Sequence, residues 1–238
     1  MFRSRGMNKS RYLTACAGWM LVLPGVIRNC GWFGAVENSF ATRDRELLLT
    51  IDDGPDPRQT PQILDTLSKA QARAVFFVIG KKVEAHPALC RRMANEGHSV
   101  QNHTYSHSSA TFWSAGPRRA AEEITRCSAA IQKATGRMPV HFRAPVGMAN
   151  PFVHLAAEAC GLKIMGWSAT GHDGIAHDPA RVVRRIRRSA TPGGIILLHE
   201  SQLRGMREGE RACTLSELLN TLKADGYKFT DRLDARSA

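Results

Sequence analysis

The sequence predicts an α/β fold, a barrel of seven parallel strands with helices between them, and three observations lead there. From residue 46 onward, short apolar runs alternate with longer amphipathic segments, the pattern of successive βα units on a parallel sheet. The ends of the amphipathic segments carry helix punctuation. The chain has 238 residues, enough for one sizeable domain, and a single barrel uses nearly all of them.

The strands are expected at Glu46 to Ile51, Ala74 to Ile79, Ser99 to Asn102, Val140 to Phe142, Leu162 to Trp167, Gly194 to Leu198 and Tyr227 to Thr230. Helices fill the intervals. Thr60-Pro61, Asn150-Pro151 and Asp178-Pro179 each place a capping side chain before a proline at the first helical position. Thr214 with Glu217 has the spacing of a capping box. Gly97, Gly136, Gly161 and Gly226 follow the helices, where a left-handed residue closes the last turn. The barrel is assigned to residues 46–238.

Residues 1–45 fit no βα unit and are read as an export signal or anchor with a connecting stretch. Arg3, Arg5, Lys9 and Arg11 precede an apolar run from Tyr12 to Ile27, the order of an export signal. The run is short for a spanning helix, and Pro24 interrupts it. Leu13-Thr14-Ala15-Cys16 resembles a lipoprotein cleavage box, but the apolar run follows Cys16 instead of preceding it, so the match is read as chance. The expected location is outside the cytoplasm, periplasmic or anchored to the inner membrane.

The formal charge is +12, which suits a nucleic acid, an anionic membrane or an acidic glycan. No aromatic-studded basic platform accompanies it, so nucleic acid is set aside as a partner. Arg181, Arg184, Arg185, Arg187 and Arg188 read as the solvated face of a helix. The six cysteines lack the close paired spacings of a zinc ribbon or redox motif, and no thiol chemistry is expected.

Seven polar residues fall at C-terminal ends of the strands: Asp52 and Asp53 after the first, His103 and His107 after the third, and Arg143 after the fourth. Asp173 follows the fifth and His199 ends the sixth. In a barrel of parallel strands these ends converge on one mouth, where active sites are built. Two histidines four apart can face the same way on a helical turn, and one carboxylate added to them makes a three-ligand zinc site with an open position. Asp52-Asp53-Gly54-Pro55 is also good turn chemistry. Two adjacent carboxylates, however, repel each other unless a cation or an arginine neutralises them.

These residues bring the chain to a resemblance. Residues 46 to 231 resemble the polysaccharide deacetylases of carbohydrate esterase family 4, the NodB-like domain. Five motifs stand in order: Thr50 to Gly54, His103-Thr104-Tyr105-Ser106-His107, Arg143-Ala144-Pro145-Val146-Gly147, a degenerate stretch Trp167 to Gly174, and Leu197-Leu198-His199. The resemblance implies a distorted seven-stranded (β/α) barrel and a hydrolase that removes N-acetyl groups from an amino-sugar glycan. It implies a divalent metal ion, usually zinc, on Asp53, His103 and His107, with Asp52 as general base and His199 as general acid. Arg143 would orient Asp52 and Asp173 would tune His199. Leu197 would line the acetyl pocket, and Pro145 and Val146 would face substrate, the Val146 N–H toward the oxyanion.

The sequence departs from the family pattern where Val146 replaces a usual tyrosine and where Thr170 and Gly174 replace the fourth motif's aspartate and tryptophan. These changes bear on substrate preference and leave the catalytic set whole. Peptidoglycan, an exported polysaccharide, a chitin-like oligomer and a lipid-linked sugar stay open as substrates, the last deacetylated or deformylated. A non-catalytic glycan-binding module would be expected to lose catalytic residues. An iron oxygenase, which also uses two histidines and a carboxylate, has no use for Asp52 and His199.

Overall fold

The computed structural model describes residues 27–175, 178–201 and 206–231. Most of the apolar run from Tyr12 to Ile27 therefore lies outside the described residues, as does His177. No helix among the described residues is long and apolar enough to cross a membrane.

The described residues form one sheet of nine strands curled around an interior, with helices outside. The strands are β1 (Val36–Glu37), β2 (Glu46–Gly54), β3 (Val75–Val78), β4 (Ser99–Asn102), β5 (His141–Phe142), β6 (Lys163–Met165), β7 (Ala169–Thr170), β8 (Gly194–His199) and β9 (Lys228–Thr230). Their order is β1-β6-β5-β4-β3-β2-β8-β7, with β9 on β2, and all the strand pairs are parallel. The helices are α1 (Gln59–Lys69), α2 (Gly80–Ala85), α3 (Pro87–Asn95), α4 (Pro117–Thr135), α5 (Pro151–Ala159), α6 (Pro179–Ser189) and α7 (Glu210–Ala224).

All seven expected strands are present. The two additional ones, β1 and β7, are two residues each, too short to leave a periodic signal. Because β1 pairs with β6, part of the stretch read as a connection contributes to the sheet.

The two-residue period of the strands sorts their side chains between two environments. On β2, Leu47, Leu49 and Ile51 join Phe76, Val78, Ile196 and Leu198 against the helices. Leu48 packs on the other face with Val75, Phe77, Met165 and Ile195. Along that interior face, Thr50 and Asp52 continue from Leu48, and Leu197 and His199 continue from Ile195. The same alternation that builds the core therefore delivers the polar residues to the interior at the carboxyl ends of the strands.

Helix ends follow the expected chemistry in part. Asn150 and Asp178 cap α5 and α6 by accepting from Val153 N–H and Arg181 N–H. Gly97, Gly136, Gly161 and Gly226 all have positive φ. At α1, Asp56 rather than Thr60 receives the first free amides, those of Arg58 and Gln59. The expected capping box at Thr214 does not form: α7 begins at Glu210, and the Thr214 hydroxyl donates to the Glu210 carbonyl within the helix. On α6, Val182, Val183 and Ile186 are buried, leaving the arginines on a solvated face.

Phe76 is fully buried in the larger core. Phe76→Ala is expected to lower the unfolding free energy by roughly 3–5 kcal/mol, measured by urea denaturation followed by circular dichroism.

Candidate metal centre and active site

The Asp52-Asp53 pair sits at the end of β2, where the register against β3 slips between Asp52 and Gly54. Asp53 takes φ 74°, so the two adjacent carboxylates leave the strand in different directions. Asp52 points into the barrel and is nearly fully buried. Its Oδ1 accepts from Arg143 Nη1 at 2.6 Å. Arg143 is itself buried, and its other donors reach Thr50 Oγ1 (2.7 Å), the Met165 carbonyl (3.2 Å) and the Gly166 carbonyl (2.8 Å). Burial raises the Asp52 pKa above the usual carboxylate value against the pull of Arg143.

Asp53 faces the histidines. Its Oδ1 lies 3.3 Å from His107 Nε2 and 3.7 Å from His103 Nε2. Burial alone would raise its pKa, but facing His103, His107 and His199 holds it below the usual value. Its Oδ2 accepts from Ser201 Oγ at 3.0 Å, whereas the buried Oδ1 has no hydrogen-bond partner. Burial lowers the pKa of both His103 and His107 to about 4, with His103 adding to the effect on His107. Both rings are thus neutral at pH 7. His103 Nδ1 donates to the Arg143 carbonyl at 2.8 Å, which leaves the Nε2 lone pair directed at Asp53.

One donor atom each from Asp53, His103 and His107 lies within 4.8 Å of the others. An unpartnered buried carboxylate oxygen beside two neutral imidazoles fits a divalent cation, because Asp53 Oδ1 and His103 Nε2 are acceptors and a neutral His107 can present a third.

The histidines do not share a helical turn as the spacing had suggested. They lie on the loop after β4, where Thr104 (φ 67°) and His107 (φ 51°) are both left-handed. The loop is held by hydrogen bonds from Thr104 N–H to Asn102 Oδ1, from His107 N–H to Thr104 Oγ1, and from Ser106 N–H and Oγ–H to Glu123. The result brings the two rings to 4.6 Å between centroids.

His199 stands across the cleft. Its Nδ1 lies 3.0 Å from Asp173 Oδ1, and its backbone N–H donates to Asp173 Oδ2 at 2.7 Å. Burial alone would lower the His199 pKa, but the Asp173 hydrogen bond and the charges of Asp173, Asp52 and Asp53 prevail and raise it to about 9. With Nδ1 engaged, Nε2 is the nitrogen free for the cleft.

The cleft encloses about 400 Å³ and is lined by Asp52, Asp53, His103, His107 and His199, with Val146, Trp167 and Leu197 among its walls. Pro145, expected to face substrate, is instead buried and outside the lining. It starts the turn that holds Val146 at φ 53°. Trp113 does not reach the cleft; its indole N–H donates to the Ala110 carbonyl within its own loop.

Three contributors were not legible as site residues. Arg211 on α7 donates to Asp173 Oδ2 at 2.7 Å and to the Asp173 carbonyl, and nothing in its sequence context marks it. Ser201 shares its period-2 position with His199, a signal that could have found it. Glu200 is fully buried behind Gly54 and accepts from Thr60 Oγ1 at 2.6 Å; burial raises its pKa to about 8. A Cβ on Gly54 would fall 1.3 Å from Glu200 Oε1, so only glycine fits there.

The chain matches the polysaccharide deacetylase family over residues 40–165 and belongs to that family, which makes it a hydrolase of the polysaccharide deacetylase class. It is 37% identical over 197 residues to a chitooligosaccharide deacetylase of Bradyrhizobium sp. (strain ANU 289), covering 78% of this chain and 88% of that one. It is 33% identical to the peptidoglycan-N-acetylglucosamine deacetylase PgdA of Listeria monocytogenes over 79% of this chain, and spans 38% of that protein's length. Among solved structures, the Bc1960 peptidoglycan N-acetylglucosamine deacetylase superposes with a TM-score of 0.74 at 28% identity, covering 82% of this chain and 89% of that one.

Arg143→Met would leave the Asp52 carboxylate buried without its counter-charge and is expected to destabilise the protein by about 3–5 kcal/mol, read from urea unfolding. The raised His199 pKa gives a second expectation, for metal-stripped protein. Stabilisation by the charged His199 is fully present below pH 6.5 and fades as pH rises through about 9. The stability gap between wild type and His199→Gln should therefore narrow between pH 6 and pH 10.

Proposed function

We propose that this protein removes N-acetyl groups from an amino-sugar glycan by metal-assisted hydrolysis, with Asp53, His103 and His107 holding a zinc ion. The observation that carries this reading is the division of labour in one cleft. A neutral histidine pair and an unpartnered carboxylate oxygen lie between a base braced by Arg143 and an acid braced by Asp173. Two histidines with one carboxylate are the ligand set of a hydrolytic zinc site, with a coordination position left for the reactants.

An amide is a poor electrophile, and the ion when bound would polarise its carbonyl and acidify water beside it. Asp52 Oδ2 is the oxygen not engaged by Arg143, and it takes the proton from the attacking water. The raised pKa of Asp52 makes it a better base than an exposed aspartate. The carbon–nitrogen bond breaks only if the amine leaves protonated. His199, charged at neutral pH because its pKa stands near 9, donates that proton from Nε2 while Asp173 holds Nδ1. The Val146 N–H steadies the oxyanion, and Leu197 meets the acetyl methyl group. The products are a free amino sugar and acetate.

The substrate is drawn from the class to which the relatives point, N-acetylglucosamine in chitin-like oligomers or peptidoglycan. Trp167 keeps one aromatic wall in the cleft, although Val146 and Gly174 stand where the family has others. The basic and apolar order at the N-terminus supports export, with the barrel working in the periplasm or held at the inner membrane beside a membrane-proximal glycan or glycolipid.

Chelator treatment should abolish acetate release, and zinc should restore it. Asp52→Asn is expected to retain the metal while losing on the order of 10²-fold or more in kcat. Asp53→Asn should lose the metal itself. Metal analysis of each purified variant beside an acetate-release assay checks both, and the reverse pattern would overturn the roles given to the two carboxylates.

A further inference from the structure

Residues 27–39 lie upstream of the region matched to the family, yet two of them, Arg28 and Asn29, line the cleft. Asn29 is fixed there by its backbone N–H, which donates to the Gly147 carbonyl at 2.9 Å, and by its side-chain amide, which donates to the Trp167 carbonyl at 3.0 Å. The floor beneath it is shaped to admit it. A Cβ on Gly166 would come within 2.0 Å of Asn38 Oδ1 and 2.7 Å of Asn29 Oδ1. A few residues on, Val36 and Glu37 pair with Ile164 and Met165 of β6. The segment is therefore part of the wall that carries Val146 and Trp167.

Arg28 rides on this anchored segment. It is exposed and has no ion pair or hydrogen bond among the described residues, whereas Arg143 and Arg211 in the same region are each paired with an aspartate. A guanidinium offers five donors in a planar fork that matches a carboxylate or phosphate. His172 also lines the cleft, and its Nδ1 lies 3.4 Å from Arg185 Nη1. The wall beside Trp167 thus combines a flat apolar face for a sugar ring with a free cation for an acidic group next to it.

We propose that Arg28 forms a subsite for an acidic substituent, a carboxylate or phosphate carried by the glycan close to the acetamido sugar. The proposal rests on the deacetylase reading above and narrows its substrate to an acidic glycan. Arg28 acts in this as a specificity-determining residue outside the proton-transfer machinery.

The test compares three N-acetylglucosamine oligomers of equal length: one neutral, one with a lactyl-ether carboxylate on the neighbouring sugar, and one with a phosphate there. For the zinc-loaded wild type, kcat/KM should favour an acidic oligomer, and the carboxylate and phosphate arms show which group is read. Arg28→Ala should lower the acidic-to-neutral ratio about tenfold, mainly through KM, the scale of one partly exposed charge-assisted contact. Arg28→Lys should restore part of it, and added salt should erode it. A ratio unchanged by Arg28→Ala overturns the subsite. Equilibrium binding of the same oligomers to zinc-loaded Asp52→Asn, with and without Arg28→Ala, decides the matter without turnover. Acetate release from none of the oligomers by wild type would overturn the deacetylase reading, while this binding comparison would still uphold or refute the subsite.

Discussion

The ion pair between Arg143 and Asp52 in the barrel interior is the interaction on which the rest of the site depends. Two charges removed from water cost several kcal/mol each, and their attraction offsets this only when every remaining donor is satisfied. Here it is. The guanidinium reaches Asp52, Thr50 and the carbonyls of Met165 and Gly166, and its planar face lies 4.1 Å from the Phe77 ring centroid. One side chain therefore ties together the ends of β2, β5 and β6, with Phe77 of β3 against it. The carbonyl of the same arginine accepts from His103 Nδ1, so the residue that orients the proposed base also fixes the tautomer of a proposed metal ligand.

This pair resolves the electrostatic problem posed by adjacent carboxylates. Asp52 is neutralised by arginine and kept within the barrel. Asp53, turned by its left-handed backbone, is left to the histidines and to the proposed cation. Six of the seven described non-glycine residues with positive φ, namely Asn29, Asp53, Thr104, His107, Val146 and His172, belong to or border the cleft. Each such conformation costs of order 1–3 kcal/mol and persists only where its surroundings fix it. Asn102 and Glu123 do so for the histidine loop, and the Asn29 contact with Gly147 braces the turn that carries Val146.

Much of the fold was readable because buried strands and capped helices leave local marks. The apolar runs at Leu47–Ile51 and Ile195–Leu198 mark strands by composition, and Asn150 and Asp178 cap helices by side-chain chemistry alone. The site residues were readable because parallel strands bring their carboxyl ends together, so Asp52, His103, Arg143 and His199 meet by topology. What sequence could not supply is set by distant partners. Arg211 is defined by its contacts with an aspartate 38 positions away and with the Ser201 carbonyl. The histidine loop takes its shape from Asn102 and Glu123 rather than from helical spacing. Strand β1 exists only because β6 offers it an edge, which is why a connecting stretch turned out to wall the cleft.

The most direct test of the central claim is the coordination of the metal. Protein reconstituted with one equivalent of zinc, studied by X-ray absorption at the zinc edge, should show two imidazole nitrogens at about 2.0–2.1 Å and carboxylate oxygen in the same shell. The spectrum should be insensitive to Asp52→Asn and altered by Asp53→Asn. Sulfur scattering at about 2.3 Å, or a shell without histidine, would contradict the account.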